Sequence, residues 1–121
     1  LREADLGDWT GQFVAHIMTH SPDKYVAWRH GQYTPPNGES WQKLCQRVRA
    51  VLASLADCGE AILVVTHGGP IRAACAEFLG LQPQHIMPVR SASITIIEFK
   101  DHARLGVYNL RHDDVEFKRT D

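Results

Sequence analysis

Apolar residues along this chain fall into three spacings, and each predicts a different element. Trp41, Leu44, Cys45, Val48, Val51, Leu52 and Leu55 recur three and four residues apart, the period of one helix face. Ser40 stands before them as an N-cap and Gly59 after them as a stop, so a helix is predicted between the two. Gln42, Lys43, Gln46, Arg47, Arg49 and Asp57 then form its solvated face. Ala61-Ile62-Leu63-Val64-Val65-Thr66 is a different pattern: an unbroken run rich in β-branched residues, as a strand buried on both faces of a parallel sheet requires. Pro70 suits the first turn of the next helix, and Ile71, Ala74, Cys75, Phe78 and Leu79 supply its apolar face until Gly80. Strand, glycine turn and helix thus follow in order.

Ser93–Phe99 and Arg104–Leu110 read as strands that pair as a hairpin across Lys100-Asp101-His102. Nearer the start, Gln12–His20 is predicted as a short helix with Phe13, His16 and Ile17 on one side, ended by Pro22. Asp23–Trp28 is a second short helix carrying Tyr25, Val26 and Trp28, and the turn-rich Gly31–Gly38 reads as an ordered loop. The charged tail, Arg111–Asp121, is expected to lie on the surface or fray. The pattern as a whole predicts an α/β fold, a mostly parallel sheet flanked by helices, in a single domain over 1–121.

Composition narrows the partners. With 44% hydrophobic and 22% charged residues and a net charge of −1, the chain has the balance of an ordinary globular protein and no footprint for nucleic acid or an acidic membrane. The three cysteines, Cys45, Cys58 and Cys75, show no C-x-x-C spacing, so neither a disulfide framework nor a zinc site is suggested. No apolar run approaches the roughly 20 residues of a membrane span, which points to a cytoplasmic protein. Leu1-Arg2-Glu3-Ala4-Asp5-Leu6 reads as the middle of a longer sequence, and an upstream segment is expected.

Candidate chemistry centres on Val64-Val65-Thr66-His67-Gly68-Gly69-Pro70. Ligands of open α/β sheets bind beyond the carboxyl ends of the strands, where His67 falls. Gly68 and Gly69 let the backbone approach a ligand, and the free N–H groups of the following helix suit a phosphate. The competing reading is that His67 only finishes a strand. Arg29, Arg72 and Arg90 are candidate phosphate or substrate contacts, with Arg72 nearest to the site in sequence, while a solvated surface role is the plain alternative for each. Glu39 and Ser40 could reach substrate from their helix N-terminus, the alternative for Ser40 being a simple cap. His16 and His20, four apart, lack the glutamate of a zincin pattern and read as a surface pair, so no metal is called for.

Leu1-x-Glu3-x-x-x-Gly7-x-Trp9-x-Gly11, then Pro36-x-Gly38-Glu39-Ser40, then Val64-Val65-Thr66-His67-Gly68 resemble, in this order, the histidine phosphatase (phosphoglycerate-mutase-like) superfamily. The resemblance implies that a histidine in an Arg-His-Gly motif attacks phosphorus and becomes phosphohistidine. It implies further that Glu3 is the acid for the leaving oxygen and then the base for water, with His67 holding the phosphoryl oxygens and no cofactor needed. The motif belongs at the end of a central N-terminal strand beside that of His67, and this strand is lacking here. Arg29-His30-Gly31 has the right letters, but Lys24–Trp28 before it makes a poor buried strand, and we read it as a decoy. Absence of the central strand would expose an apolar edge. Either the chain is a portion of its gene product, inactive by itself, or it borrows a partner's strand as a homodimer would.

The short segment between Gly11 and Gly38, the lid region in such proteins, favours a phosphatase over a phosphoglycerate mutase. Tyr25-x-x-Trp28 together with the motifs above looks most like the α-ribazole-5′-phosphate phosphatases of cobalamin synthesis. The expected partner is a small phosphorylated metabolite. A broad-specificity phosphatase, a mutase, and a non-catalytic anion-binding module are the alternatives.

Overall fold

A computed structural model describes residues 1–115; the last part of the predicted surface tail lies outside the described residues. Helices α1 (Val14–His20), α2 (Pro22–Arg29), α3 (Trp41–Ala56) and α4 (Gly68–Leu79) are followed by strands β1 (Ile94–Phe99) and β2 (Ala103–Leu110). Short 3-10 turns lie at Gly7–Trp9, Pro83–His85 and His112–Asp114.

The core is the seam between α3 and α4. Leu44, Cys45 and Val48 of α3 are buried against Ala73 and Ala74 of α4, with Leu1, Ala4, Trp41, Leu52, Phe78 and Ile97 around them. Small residues on α4 let the two helices approach closely. The Ser40 Oγ accepts from the Lys43 N–H at 3.2 Å and caps α3, while α4 stops at Gly80, whose φ of +67° is the left-handed conformation that glycine adopts without strain. Val51, placed on the apolar stripe by its spacing, is instead 41% exposed, since it lies beyond the reach of α4's packing.

The hairpin forms as expected. β1 and β2 are antiparallel, with Phe99 opposite Ala103 and Ile94 opposite Leu110, and two irregularities lie between Ile94 and Ile97. Phe99 packs edge-on to Phe78 at 5.0 Å, which docks the hairpin on α4. Pro22 both stops α1 and opens α2, and Trp28 of α2 meets Trp9 at 5.9 Å in an edge-to-face contact.

The mostly parallel sheet is not what the described residues form: their sheet has two strands and is antiparallel. Ala61–Thr66 has no regular secondary structure and no ladder partner among the described residues. A strand exists only by pairing, and no described segment forms a backbone ladder with this one. Val64 and Thr66 are half-buried, whereas Leu63 and Val65 are 87% and 91% exposed, so the run has one covered face and one open. No helix among the described residues is long and apolar enough to cross a membrane.

Candidate active site

The run Ala61–Thr66 delivers His67 to the mouth of α4, where it is the N-cap residue in extended conformation, with φ −130° and ψ 171°. Its side chain makes no capping hydrogen bond, and the residue is exposed. Glu3 arrives from the start of the sequence. The Thr66 hydroxyl donates to the Leu1 carbonyl at 2.6 Å and fastens the two segments side by side. Glu3, Thr66, His67 and Gly68 then line one open cavity of about 400 Å³, together with Ile71 and the loop Val89–Ser93.

The Glu3 carboxylate lies on the first turn of α4. The Gly69 N–H donates to both of its oxygens, at 3.0 and 3.3 Å, and the Ala4 N–H donates to one at 2.8 Å. An anionic group at this end of the helix is favourably placed, because the orphan N–H groups there carry partial positive charge. Position 69 must be small for this contact: a Cβ added there would stand 2.1 Å from the Glu3 Oε1. The N–H assigned by sequence to phosphate is thus taken by the chain's own acid. Gly68 does line the cavity, and a Cβ on it would meet only Val89, at 3.6 Å.

Three other sequence candidates lie away from the cavity lining. Arg72 is 6% exposed, far from the solvated or substrate-facing roles first considered. Its Nε donates to the Pro83 carbonyl at 3.2 Å, another guanidinium nitrogen donates to the Arg29 carbonyl, and the group stacks over Trp41 at 4.9 Å and Trp28 at 5.7 Å. Burial, and then the charge of Arg29, pulls its pKa down to about 10. Ser40 is the cap of α3. Glu39 pairs with Arg47 at 2.6 Å, and that hydrogen bond outweighs partial burial in drawing the Glu39 carboxyl below its ordinary range. Arg47, expected on a solvated face, is therefore half-buried in an ion pair. Glu39 precedes the Ser40 cap and lies outside α3, so helical spacing carried no signal for the pair.

Arg29-His30-Gly31 lies at the end of α2 rather than at a strand end, and His30 is exposed and outside the cavity lining. His16 and His20 stack at 4.0 Å on α1; among the described residues no group of three or more metal-ligating side chains occurs. The loop Val89–Ser93, absent from the sequence-based site except for Arg90, contributes Ser91, Ser93 and a left-handed Ala92 at φ +55°. Arg90 is held there by Asp114 and by the Asn109 carbonyl.

The family model described as the histidine phosphatase superfamily (branch 1) matches residues 1–110. A glucosyl-3-phosphoglycerate phosphatase of Mycolicibacterium vanbaalenii is 34% identical over 91 residues, covering 67% of this chain and 40% of that protein. A 2,3-bisphosphoglycerate-dependent phosphoglycerate mutase of Cytophaga hutchinsonii is 33% identical over 101 residues, covering 77% of this chain and 46% of its own length. Among solved structures, mycobacterial glucosyl-3-phosphoglycerate phosphatase in complex with VO3 superposes with a TM-score of 0.78 at 32% identity, covering 90% of this chain and 61% of that one. The chain spans less than half the length of these curated relatives.

Proposed function

The chain belongs to the histidine phosphatase superfamily, and from that premise we propose that it forms, over 1–121, the portion of a phosphomonoester hydrolase that supplies the acid and a phosphate-holding histidine. The observation that carries this reading is the meeting of Glu3 and His67, from the start and the middle of the sequence, on the wall of one cavity. Phosphoryl transfer needs positive or hydrogen-bonding groups on the equatorial oxygens and a proton for the departing alkoxide. His67 serves the first need. Glu3 serves the second, and then takes a proton from the water that releases the phosphoryl group.

The nucleophile in this reading is a histidine on an Arg-His-Gly strand laid against Ala61–Thr66. The backbone of that run has no ladder partner among the described residues, and its free edge is where such a strand would pair. A further segment of the same protein or a different chain would provide it, since the Arg29-His30-Gly31 of a second copy lies at a helix end. The 121 residues by themselves are then expected to bind inorganic vanadate weakly and to turn over essentially nothing. Phosphohistidine formed on this chain in isolation would overturn that and return His30 to candidacy.

The substrate in this reading is a small phosphorylated metabolite. The relatives matched carry names of a phosphoglycerate-derived phosphatase and a mutase and give no support to α-ribazole-5′-phosphate. The contact of Tyr25 with Trp28, 5.8 Å between rings, accounts for that pair by packing. Parallel assays of phosphoglycerates and α-ribazole phosphate on the assembled enzyme decide among the substrates. Vanadate binding with no turnover in the assembled protein would favour a non-catalytic anion-binding module.

A further inference from the structure

Leu1–Leu6 has no helix or strand of its own, yet it must hold the Glu3 carboxylate to within a hydrogen bond of Gly69. We propose that Arg47, locked by Glu39, is the positioning residue that fixes the Glu3 carboxylate at the mouth of α4. This inference rests on reading Glu3 as the proton donor.

One guanidinium group grips the backbone on both sides of the Glu3 Cα. A terminal nitrogen of Arg47 donates to the Arg2 carbonyl at 3.0 Å and to the Glu3 carbonyl at 3.1 Å. The Nε and the same terminal nitrogen engage the two Glu39 carboxylate oxygens at 2.6 and 3.0 Å. Glu39 continues the clamp: its Oε2 accepts from the Asp5 N–H at 3.3 Å, and its own N–H donates to the Asp5 carbonyl at 2.7 Å. Arg2, Glu3 and Asp5 are thereby tied to α3, while the Thr66 hydroxyl ties Leu1 to the run leading into α4. The carboxylate of Glu3 has only its side-chain torsions left to find Gly69.

The ion pair sits where its geometry holds. The side chains of Arg47 and Glu39 are 22% and 10% exposed, so the pair is sheltered from water. A sheltered ion pair contributes little net stability once desolvation is counted, and its attested use is to specify one arrangement among several. The planar fork of arginine reaches a carboxylate and two carbonyls together, which a lysine ammonium on its flexible stem does not reproduce.

The test uses the 121-residue chain and amide NMR, following the Gly69 and Ala4 signals from about pH 3 to pH 7, the range in which a carboxylate titrates. Both amides donate to the Glu3 carboxylate and should move with it in the wild type. Arg47→Met should abolish at least half of that response, while the signals of Leu44 and Val48 in the core stay in place. A Gly69 response of wild-type size in Arg47→Met overturns the proposal. Should Arg47→Met fail to fold, Arg47→Lys decides: loss of half the response supports the clamp, and an unchanged response overturns it. A response that survives Glu3→Gln likewise overturns it, since the amides would then report on some other group. Glu3 as proton donor is judged separately, by turnover of Glu3→Gln in the assembled enzyme, so either reading can fail without the other.

Discussion

Replacing Arg72 by methionine separates a packing residue from a substrate contact. The change keeps an unbranched chain of similar length between Trp28 and Trp41 but removes the guanidinium and both of its hydrogen bonds. The Pro83 and Arg29 carbonyls lose their donors, at about 1–3 kcal/mol for each group left unpaired in a buried place. Loss of the cation from above two indole rings, 4.9 and 5.7 Å away, adds about 1–2 kcal/mol. Against this stands relief of the burial that holds the Arg72 pKa down near 10, about 3 kcal/mol in favour of the neutral replacement. The balance is a net loss of about 2 kcal/mol, a substantial share of the roughly 6–18 kcal/mol expected of a chain this long. Urea unfolding followed by tryptophan fluorescence reads it, because Trp28 and Trp41 both lie against the altered side chain. Vanadate affinity should stay within about twofold where the variant is folded, under 1 kcal/mol in binding. Unchanged stability with a tenfold loss of vanadate binding would refute the reasoning and restore Arg72 to the substrate site.

Gly69→Ala should leave stability within about 1 kcal/mol, because the helix gain from alanine offsets the lost contact with an exposed carboxylate that can turn aside about its side-chain torsions. The Ala4 amide signal should nonetheless shift as Glu3 is displaced, and a loss above about 2 kcal/mol in thermal unfolding would show that Glu3 cannot give way. The Glu39 carboxyl, drawn below its ordinary 4.5 by Arg47, contributes stability that is present above that value and is lost as pH falls through the folded-state pKa. The acid limb of unfolding midpoint against pH should therefore be shallower in Glu39→Gln than in the wild type, and equal slopes would contradict this. Leu63→Ser and Val65→Thr should each change stability by less than about 0.5 kcal/mol while reducing self-association in gel filtration, since both side chains are almost fully exposed. A loss of about 2 kcal/mol would mean that the run is packed.

Elements specified by neighbouring residues were legible in the sequence. The stripe of α3, its Ser40 cap, the Gly80 stop of α4 and the hairpin turn at Lys100–His102 all depend on spacings within a few residues, and all formed. The run Ala61–Thr66 was read correctly as apolar but not as unpaired, because pairing is a property of the neighbour and not of the strand. Glu3 and His67 were singled out by their motifs, and both line one cavity. Arg72 was misplaced because closeness in sequence stood in for closeness in space: the atoms that hold it belong to Trp28, Arg29, Trp41 and Pro83. Arg47 was assigned to water by helical periodicity, which cannot see a coil segment crossing that face.

The contacts that seat the Glu3 segment also carry a kinetic consequence. They join residues 34, 44, 45, 65 and 66 positions apart in the chain, whereas α3 and α4 are near neighbours that can meet early. Closing such long loops before any contact rewards it is slow, so the Glu3 carboxylate should be the last group to reach its place as the chain folds. By the same reasoning it is the first to leave. Amide exchange should show the Ala4 and Gly69 protons opening well before Val48, so that Glu3 parts from α4 on heating while the helical core still stands.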